Sequence, residues 1–549
     1  MIGESVLLSE LQGIEDRPGL MGALMRFGYG SPLYRYTLIG RSPDRLLGTP
    51  PEIFPGSAAG GQAILAGHLS FAGERREVSD MGAAPANAGE AWLCHLNGFA
   101  WLGDLRAVGT DQARACARRL VESWIRSHGH WSALPWRPDV TAQRLINWLT
   151  HFGFFAAEAE EEFRLTLYTE LARQGRHLAR NIAKAPSSSK RITSLKGLIY
   201  CGVSLPGCDK SLNQGLRQMN IELRRQIFPD GGHISRNPSV QLQLLSDLIA
   251  VTETLAAAHL EQPVWLKDAV RLMAPMLRSM RLGDGGLALF NGGAMEDADI
   301  IDQILSKSNM RVRTISSAPH SGFQRLSAGR STVIMDAGNM PGRDANRWGH
   351  AGALSFEMSA GKERLIVNCG GGGLGGEWRQ ALRSTAAHST VVIGDLNSAP
   401  VNPAGGSARS ARQVTSSRRE LDGNTIIEAV SEGYEQALGL THRRLLMLEP
   451  DGTELQGEDQ IYGKPGIAFD ARFHLHPNIQ ATVIQDGHGV LIKPHRGKGW
   501  KFTAGAFSLT LEDSVYFDAP QRRRRCQQIV LSGLTEASGT TVKWRLARL

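Results

Sequence analysis

Two stretches of the sequence combine histidine with arginine or glycine in a pattern that could support acid–base chemistry. The first, FPDGGHISRNPS at residues 228–239, places His233 and Arg236 after a tight Asp-Gly-Gly turn and before Pro238, a natural start for a helix. Loops at helix ends carry functional residues more often than helix interiors do. The same pattern is also typical of a capped turn whose His and Arg face solvent, and both interpretations stay open.

The second stretch, WGHAGALSFEM at residues 348–358, reads as a strand that carries His350. Glycines at 370–373 and 375–376 follow it. Glycines this dense form a flexible loop or one that a ligand approaches closely. Because they lie between two predicted strands, they do not form a dinucleotide-binding fingerprint, which needs a strand, a turn and a helix.

The side chains around this glycine loop suit an anionic sugar. A guanidinium fork pairs with a carboxylate through two parallel hydrogen bonds, and an indole ring can stack on a pyranose face. An imidazole, with a pKa of about 6.5, is suited to proton transfer near neutral pH. The predicted acid–base groups are His233, His350 and His388. The predicted substrate-binding residues are Arg236, Trp348, Trp378, Arg379 and Arg383.

The spacing of hydrophobic residues changes along the chain and predicts two kinds of secondary structure. From about residue 111 to 281, apolar residues recur at helical spacing, and the first stripe stops at Gly129. Short Gly/Pro turns between the helices predict a bundle, a solenoid or a closed toroid, and no fixed repeat favours a solenoid. After about residue 311, short alternating runs broken by Gly, Asp and Pro predict a large antiparallel sandwich.

Length and composition narrow the class of protein. The chain has 549 residues, more than one compact core usually holds, and 42% of them are hydrophobic. No stretch approaches the roughly 18 apolar residues of a membrane span, so no membrane partner is expected. Acidic residues lie where a signal peptide needs basic and apolar ones, which predicts a cytoplasmic protein. Lys and Arg exceed Asp and Glu only mildly, 61 to 53, so no nucleic-acid partner is expected.

Three motifs together resemble the heparinase II/III-like polysaccharide lyases: HAGALSFEMSAGKERLIVNCG, RSTAAHSTVVI and DGGHISRNPSVQLQLLSDL. The resemblance spans roughly residues 140–540. It implies an α/α toroid (an incomplete helical barrel) followed by an antiparallel β-sandwich, with the active site in the cleft between them. We therefore expect an N-terminal segment packed on the helices at 1–90, the toroid at 91–310 and the sandwich at 311–549.

The resemblance also implies β-elimination. In that reaction the C5 proton of a uronic acid is removed while its carboxylate is neutralised, and the 4-linked oxygen leaves. The position of the family's catalytic tyrosine holds Val240, and its neutralising Asn and neighbouring His fall near Ser189 and Lys190. The usual base and acid are thus missing. Either this branch works with other residues, or it has kept the shape and lost the chemistry.

A metal site is a second implication of the resemblance. Trp348 falls on the first histidine of the family's His-x-His pair, and His350 matches the second, metal-ligating one. Asn368 replaces the usual aspartate ligand, and His388 matches the third ligand. Two imidazoles and a neutral amide make a poor zinc shell. No cofactor is expected to be required, and a hydrogen-bonded cluster is favoured over a structural zinc.

Three functions remain open at this point. The leading one is an enzyme that acts on an acidic poly- or oligosaccharide by β-elimination. The second is a glycoside hydrolase that pairs Glu357 with Asp230 or Glu377, which needs carboxyl groups roughly 5–9.5 Å apart. The third is a non-catalytic glycan-binding or assembly protein on the same scaffold. An acidic glycan is the expected partner, and the chain could also form a homo-oligomer.

Two structural predictions follow for the histidines. The loops that hold His233 and His350 should face the same interdomain cleft. His350 should point inward, because in a strand it shares a face with the apolar Leu354, and a buried imidazole needs a hydrogen-bond partner. His388 and Asn368 are the expected partners, whereas His233 is expected on an exposed turn.

Overall fold

The chain folds into two compact units. The computed structural model describes residues 28–82, 87–185, 189–342, 345, 349–371, 376–401, 413–421, 423–519 and 522–549. Their contacts divide them into one unit at 28–225 and 244–270 and a second at 226–243 and 271–549. None of the helices within these described ranges is both long and apolar enough to cross a membrane.

Helices dominate the chain up to residue 307. Their bounds are Pro32–Thr37 (α1), Ala58–Leu65 (α2), Glu90–Gly98 (α3), Leu102–Val108 (α4), Asp111–His128 (α5), Pro138–Thr150 (α6), Phe152–Phe155 (α7), Glu161–Asn181 (α8), Ser189–Ser204 (α9), Asp209–Gln226 (α10), Pro238–Ala257 (α11), Val264–Ser279 (α12) and Ala298–Lys307 (α13). An antiparallel hairpin, His68–Phe71 (β1) with Glu74–Glu77 (β2), precedes α3.

Helix α5 shows why these segments are helical. The Thr110 hydroxyl caps its first turn by accepting a hydrogen bond from the Ala113 amide at 3.2 Å. Its buried residues recur at helical spacing and include Leu120 and Trp124. The helix ends at His128, immediately before the glycine that the sequence predicts as its stop.

Antiparallel strands dominate the chain from residue 317 onward. Their bounds are Ser317–Ala318 (β3), Phe323–Ala328 (β4), Ser331–Asp336 (β5), Phe356–Ala360 (β6), Glu363–Val367 (β7), Val391–Ile393 (β8), Val414–Leu421 (β9), Asn424–Ser431 (β10), Leu440–Leu448 (β11), Glu454–Gly463 (β12), Ala468–Leu475 (β13), Gln480–Ile484 (β14), Gly489–Lys493 (β15), Trp500–Thr503 (β16), Leu509–Ala519 (β17), Arg522–Leu534 (β18) and Thr540–Arg548 (β19). Two short helices interrupt them, Gly376–Arg383 (α14) and Glu435–Leu438 (α15).

These strands form two sheets. One has the order β14-β15-β16-β19-β12-β11-β10-β9, and the other has the order β17-β18-β13-β7-β6-β5-β4-β3, with β8 added beside β13. Their inner faces share one hydrophobic core, in which the Trp544 ring stacks on Phe356 and Phe502. Gly457 lies opposite Trp544 in the strand register, where a side chain would collide with the indole.

The fold class is therefore the predicted one, a helical toroid followed by an antiparallel β-sandwich. The change from helix to strand falls near residue 310, as the hydrophobic period predicts. By contacts, residues 226–243, which include the start of helix α11, and residues 271–310 belong with the strands.

One predicted strand begins later than the sequence indicates. The strand expected over 348–358 starts only at Phe356, and residues 349–355 form turns and loops. Leu354 has a φ of 61°, in the left-handed region that β-strands do not use. The prediction that His350 and Leu354 share a strand face is therefore wrong, although both side chains are buried.

Candidate functional site

Asn291 joins the loop that holds His233 and Arg236 to the loop that holds His350, and both loops lie in the second unit. Its side-chain Nδ2 donates to the Arg236 carbonyl at 3.2 Å, and its Oδ1 accepts from the His350 amide at 3.2 Å. Its own carbonyl accepts from Asn237 Nδ2 at 2.9 Å. An Asn-Gly-Gly run typical of a turn is the one weak signal for this residue in the sequence, and its φ of 49° fits that pattern.

His350 and His388 form a buried hydrogen-bonded pair, with 3.1 Å between His350 Nδ1 and His388 Nε2. His388 Nδ1 lies 2.8 Å from the Ser384 carbonyl, which can only accept, so Nδ1 carries the proton. In the neutral pair, His388 Nε2 then accepts and His350 Nδ1 donates. The lone pair of His350 is left on Nε2.

Burial keeps both imidazoles neutral. It lowers the pKa of His388 to about 4, because an imidazolium loses its hydration there. The pKa of His350 is lowered well below its ordinary value by burial, with repulsion from His388 and Arg383 in addition. The cavity that His350 borders has a volume of about 20 Å³. That is room for about one water molecule.

His233 is buried, which corrects the expectation of an exposed turn. Its Nε2 lies 3.0 Å from Gln226 Oε1 and its Nδ1 lies 2.8 Å from Ser235 Oγ. Its backbone amide donates to Gln241 Oε1 at 2.8 Å, which ties the turn to helix α11. Burial lowers the pKa of His233 to about 4. The turn is part of the packed interior because its polar groups are satisfied locally.

Arg236 is also buried, and all five of its N–H donors have acceptors. The acceptors are the Asp336 carboxylate and the carbonyls of Ser321, Gly322, Gly338 and Asn339. The Arg236 charge opposes the rise in the Asp336 pKa that burial causes. These bonds tie the loop between α10 and α11 to the edge of the sandwich. Binding of a substrate carboxylate by Arg236 stays a prediction, and it would require one of these bonds to break.

Asn368 does not complete a metal site. Its Oδ1 accepts from the Ser389 amide at 3.0 Å, and its Nδ2 donates to the Leu289 carbonyl at 3.4 Å. Both ends of the amide are therefore engaged by backbone. Nowhere in the described part of the chain do three or more His, Cys, Asp or Glu side chains form a group that could hold a metal. The residues at the family's ligand positions do not fit zinc.

The predicted sugar-binding residues of helix α14 differ in exposure. Arg383 is buried and its Nε donates to the Gly349 carbonyl at 3.0 Å, so it holds the loop before His350. Burial, with repulsion from Arg379, lowers the pKa of Arg383 to about 10. Trp348 lies outside the described residues.

Trp378 is the exposed member of this group, with 38% of its surface accessible. Its ring contacts Phe517 at 5.3 Å between centroids, and the Arg523 guanidinium lies 5.3 Å from the ring centre. One face of the indole is thus engaged by a cation. Sugar stacking on Trp378 stays a prediction.

Two carboxylates of the hydrolase alternative, Glu357 and Asp230, already accept hydrogen bonds from backbone amides. Glu357 is fully buried, and its Oε1 accepts from the Asn368 amide at 2.9 Å. Burial raises its pKa to about 7, opposed by Arg364. Asp230 Oδ2 accepts from the Ser321 amide at 2.7 Å. The Glu377 side chain lies outside the described residues.

A pair of buried charges supports the loops around the two histidines. Arg444 Nη1 donates to the carbonyls of Leu354 at 2.9 Å and Ser389 at 2.7 Å. Its Nε donates to Asp459 at 2.6 Å, and Trp544 Nε1 donates to the same carboxylate at 2.9 Å. Arg444 and Asp459 face each other in the register of β11 and β12. The sequence does contain a signal for them, since Arg444 falls on the buried phase of an alternating strand.

The second unit also contains an open cleft with a volume of about 600 Å³. Polar side chains line it, including His320, Gln324, Asn339 and Arg418. No described residue that lines it carries a carboxylate. The sequence alone does not reveal this cleft, because its residues come from three distant segments, and only the first of them, at residues 228–236, belongs to a recognised motif.

Solved structures of polysaccharide lyases have the same fold as this chain. A solved structure of heparinase III aligns with 99% of this chain and 93% of its own, with a TM-score of 0.74 and 15% identity. A heparan sulfate lyase mutant from Pedobacter heparinus aligns with 98% of this chain and 93% of its own, with a TM-score of 0.68 and 14% identity. At these identities the likeness shows the fold alone.

A curated relative covers nearly the whole chain. The FtsZ-localized protein C of Caulobacter vibrioides (strain NA1000 / CB15N) is 30% identical over 554 aligned positions, which span 96% of this chain and 94% of that protein. The family model for the heparinase II/III N-terminus matches residues 112–312, and the model for the heparinase II/III-like C-terminal domain matches residues 310–545. The chain therefore belongs to the heparinase II/III-like family.

Proposed function

We propose that the protein binds an acidic oligosaccharide and does not cleave it by the family's β-elimination. The observation that carries this proposal is the closed surrounding of the three candidate histidines. His233, His350 and His388 are all buried, and the cavity at His350 measures about 20 Å³. Sites that take small organic ligands measure about 300–1,000 Å³. A uronic acid cannot bring its C5 proton to His350 without displacing the packed loops.

The residues at the family's catalytic positions support the same conclusion. Val240, at the tyrosine position, is buried and cannot transfer a proton. Lys190, near the position of the neutralising pair, is buried with its Nζ 4.0 Å from Asp139 Oδ2. A general base must come within hydrogen-bonding reach of the proton that it removes. Neither position supplies such a base.

The test is a combined binding and cleavage measurement. Purified protein is titrated by calorimetry with heparan sulfate, hyaluronan and alginate oligosaccharides, and the same mixtures are followed for the ultraviolet absorbance of an unsaturated uronide. We expect saturable binding of at least one acidic oligosaccharide and no rise in absorbance. A rise in absorbance that scales with enzyme concentration would show β-elimination. New reducing ends without that rise would instead show hydrolysis.

The curated relative favours a second element of the function, localisation with FtsZ. Because that protein is named for localisation with FtsZ and is 30% identical over 96% of this chain, we propose the same localisation here. This corresponds to the assembly role that the sequence left open. A fluorescent fusion imaged beside labelled FtsZ should co-localise with it. A diffuse signal would reject this element, and the images also test the predicted cytoplasmic location.

A further inference from the structure

We propose that the oligosaccharide binds in the open cleft of about 600 Å³ and that Arg418 contacts its acidic group. This inference rests on the proposed function and adds a site to it. The cleft is of the size that small organic ligands occupy, and it is far larger than the cavity at His350. Of the residues that the sequence predicted for substrate binding, only Arg236 lines it among the described residues.

The walls of the cleft are formed by the terminal strands of both sheets. β9 ends one sheet and β3, paired with β4, ends the other. Asn339 joins the two sides, because its Oδ1 accepts from the Val414 amide at 2.7 Å while its carbonyl accepts from Arg236 at 2.6 Å. These two bonds fix the spacing of the two sides. A preformed site loses less free energy on binding than one that must be ordered.

Arg418 adds a positive charge to the cleft, whereas the charge of Arg236 is already paired with Asp336. One of its N–H groups donates to the Arg325 carbonyl at 2.9 Å, which fixes the side chain along the wall. That bond uses one of the five donors of a guanidinium. Glu420 attracts Arg418 from two residues further along β9, but it does not line the cleft. The remaining donors of Arg418 suit a carboxylate or a sulfate, which accept two parallel bonds.

Gln324 supplies an independent reason to expect a polar ligand. It lines the cleft with only 4% of its surface exposed, and its Nε2 donates to Ser416 Oγ at 3.3 Å. Its Oε1 is buried and receives no hydrogen bond from the described residues. Buried acceptors are rarely left without a donor. A sugar hydroxyl would satisfy it. Apolar side chains of the wall, among them Phe228 and Met340, can pack against the ring.

The simpler interpretation is a water-filled groove whose arginines only protect an exposed edge strand. Charged residues on terminal strands prevent pairing with other chains. Arg419 alone would serve that purpose, because it is exposed and does not line the cleft. Arg418 is instead partly buried and bonded to the wall. The two neighbours therefore provide a matched test, since each substitution to Gln removes one positive charge from the same strand.

The experiment is calorimetric titration of the full chain and three variants with two probes. The probes are a heparan sulfate tetrasaccharide and the same tetrasaccharide after desulfation and carboxyl reduction. We expect Arg418→Gln to weaken binding of the acidic probe at least about tenfold, as for loss of a hydrogen bond to a charged group. Arg419→Gln should bind like the parent. Gln324→Leu should weaken both probes, because its partner is a hydroxyl.

The outcomes separate this inference from the proposed function. If the parent protein binds the acidic probe but Arg418→Gln and Arg419→Gln bind it equally well, the cleft is not the site, and the proposed function still holds. If the parent binds no acidic oligosaccharide at all, the proposed function fails. Should Gln324→Leu fail to fold, the comparison of the two arginine variants, whose folding is checked by circular dichroism, decides the question alone.

Discussion

The cavity that His350 borders, the histidine pocket, and the open cleft both border Arg236. They differ in how far their polar groups are satisfied by hydrogen bonds. In the pocket, His350 and His388 satisfy each other and leave space for about one water. In the cleft, Arg418 keeps donors free of described partners and Gln324 keeps an unused acceptor. The contrast indicates that residues at a family's metal-ligand positions can serve to pack and hold loops. Binding capacity lies where polar groups remain unsatisfied beside open space.

The largest effect should come from removing the charge that supports the pocket. Arg444→Met leaves Asp459 buried without its cation and frees the carbonyls of Leu354 and Ser389. Breaking a buried pair on one side costs about 3–5 kcal/mol of unfolding free energy. The control is Lys543→Met, which removes an ion pair on the surface, with Lys543 Nζ 3.6 Å from Glu458 Oε2. It should lower the unfolding free energy by about 1 kcal/mol or less. Urea unfolding measures both, and equal effects would contradict the account.

The second effect is a loss of stability in mild acid. The pKa of His388 lies near 4 in the folded chain, below the value of about 6.5 in an unfolded one. As the pH falls from about 7 towards 4, the unfolded state takes up protons that the folded state refuses, so the unfolding free energy falls. Each such histidine contributes up to about 3 kcal/mol, and its contribution is complete above about pH 7. Urea midpoints at several pH values should show this slope, and His388→Gln should flatten it.

A third and smaller effect is the loss of stability when a buried histidine, rather than an exposed one, is replaced by alanine. His350→Ala leaves His388 Nε2 without its donor and should cost about 1–3 kcal/mol. His233→Ala should cost a similar amount, because that side chain is buried and bonded to Gln226. His320→Ala, at an exposed position, should cost about 0.5 kcal/mol or less. A melting temperature of His350→Ala equal to that of the parent would reject the structural role.

The smallest effect on stability is expected in the cleft itself. Arg418→Gln loses one bond to the Arg325 carbonyl on a partly exposed side chain. Such substitutions usually change the unfolding free energy by about 0.5 kcal/mol. Thermal unfolding should place this variant beside the parent. A loss of unfolding free energy above about 2 kcal/mol would mean that Arg418 stabilises the wall of the cleft and is not available to bind a ligand.

The fold could be predicted from the sequence because the spacing of hydrophobic residues within a short segment determines whether it forms a helix or a strand. The switch from helical spacing to alternation marks the change near residue 310, and the stop of α5 before Gly129 follows from its stripe. Prediction failed where a tertiary contact decides the conformation. Leu354 takes a left-handed φ while its carbonyl binds Arg444, which lies 90 residues further along the chain. No local pattern announces that contact.

The candidate site was predicted only in part for the same reason. The sequence identified His350 and His388 as candidates by residue type and predicted that they pair. That contact requires only that the loops holding them lie side by side. Asn291, which joins the clusters, and Gln324, in the cleft, have no chemical signature of their own. Whether His233 faces solvent or protein was undecidable from a turn motif, because its burial depends on Gln226 and Gln241.

A paired measurement on two variants distinguishes the cavity at His350 from the open cleft as the binding site. His350→Ala and Arg418→Gln are compared with the parent in melting temperature and in dissociation constant for a heparan sulfate tetrasaccharide. We predict a crossed result. His350→Ala melts lower and binds with an unchanged dissociation constant, whereas Arg418→Gln melts like the parent and binds at least about tenfold more weakly. The reverse pattern, with binding lost in a fully stable His350→Ala, would place the functional site at the histidine pocket and contradict this account.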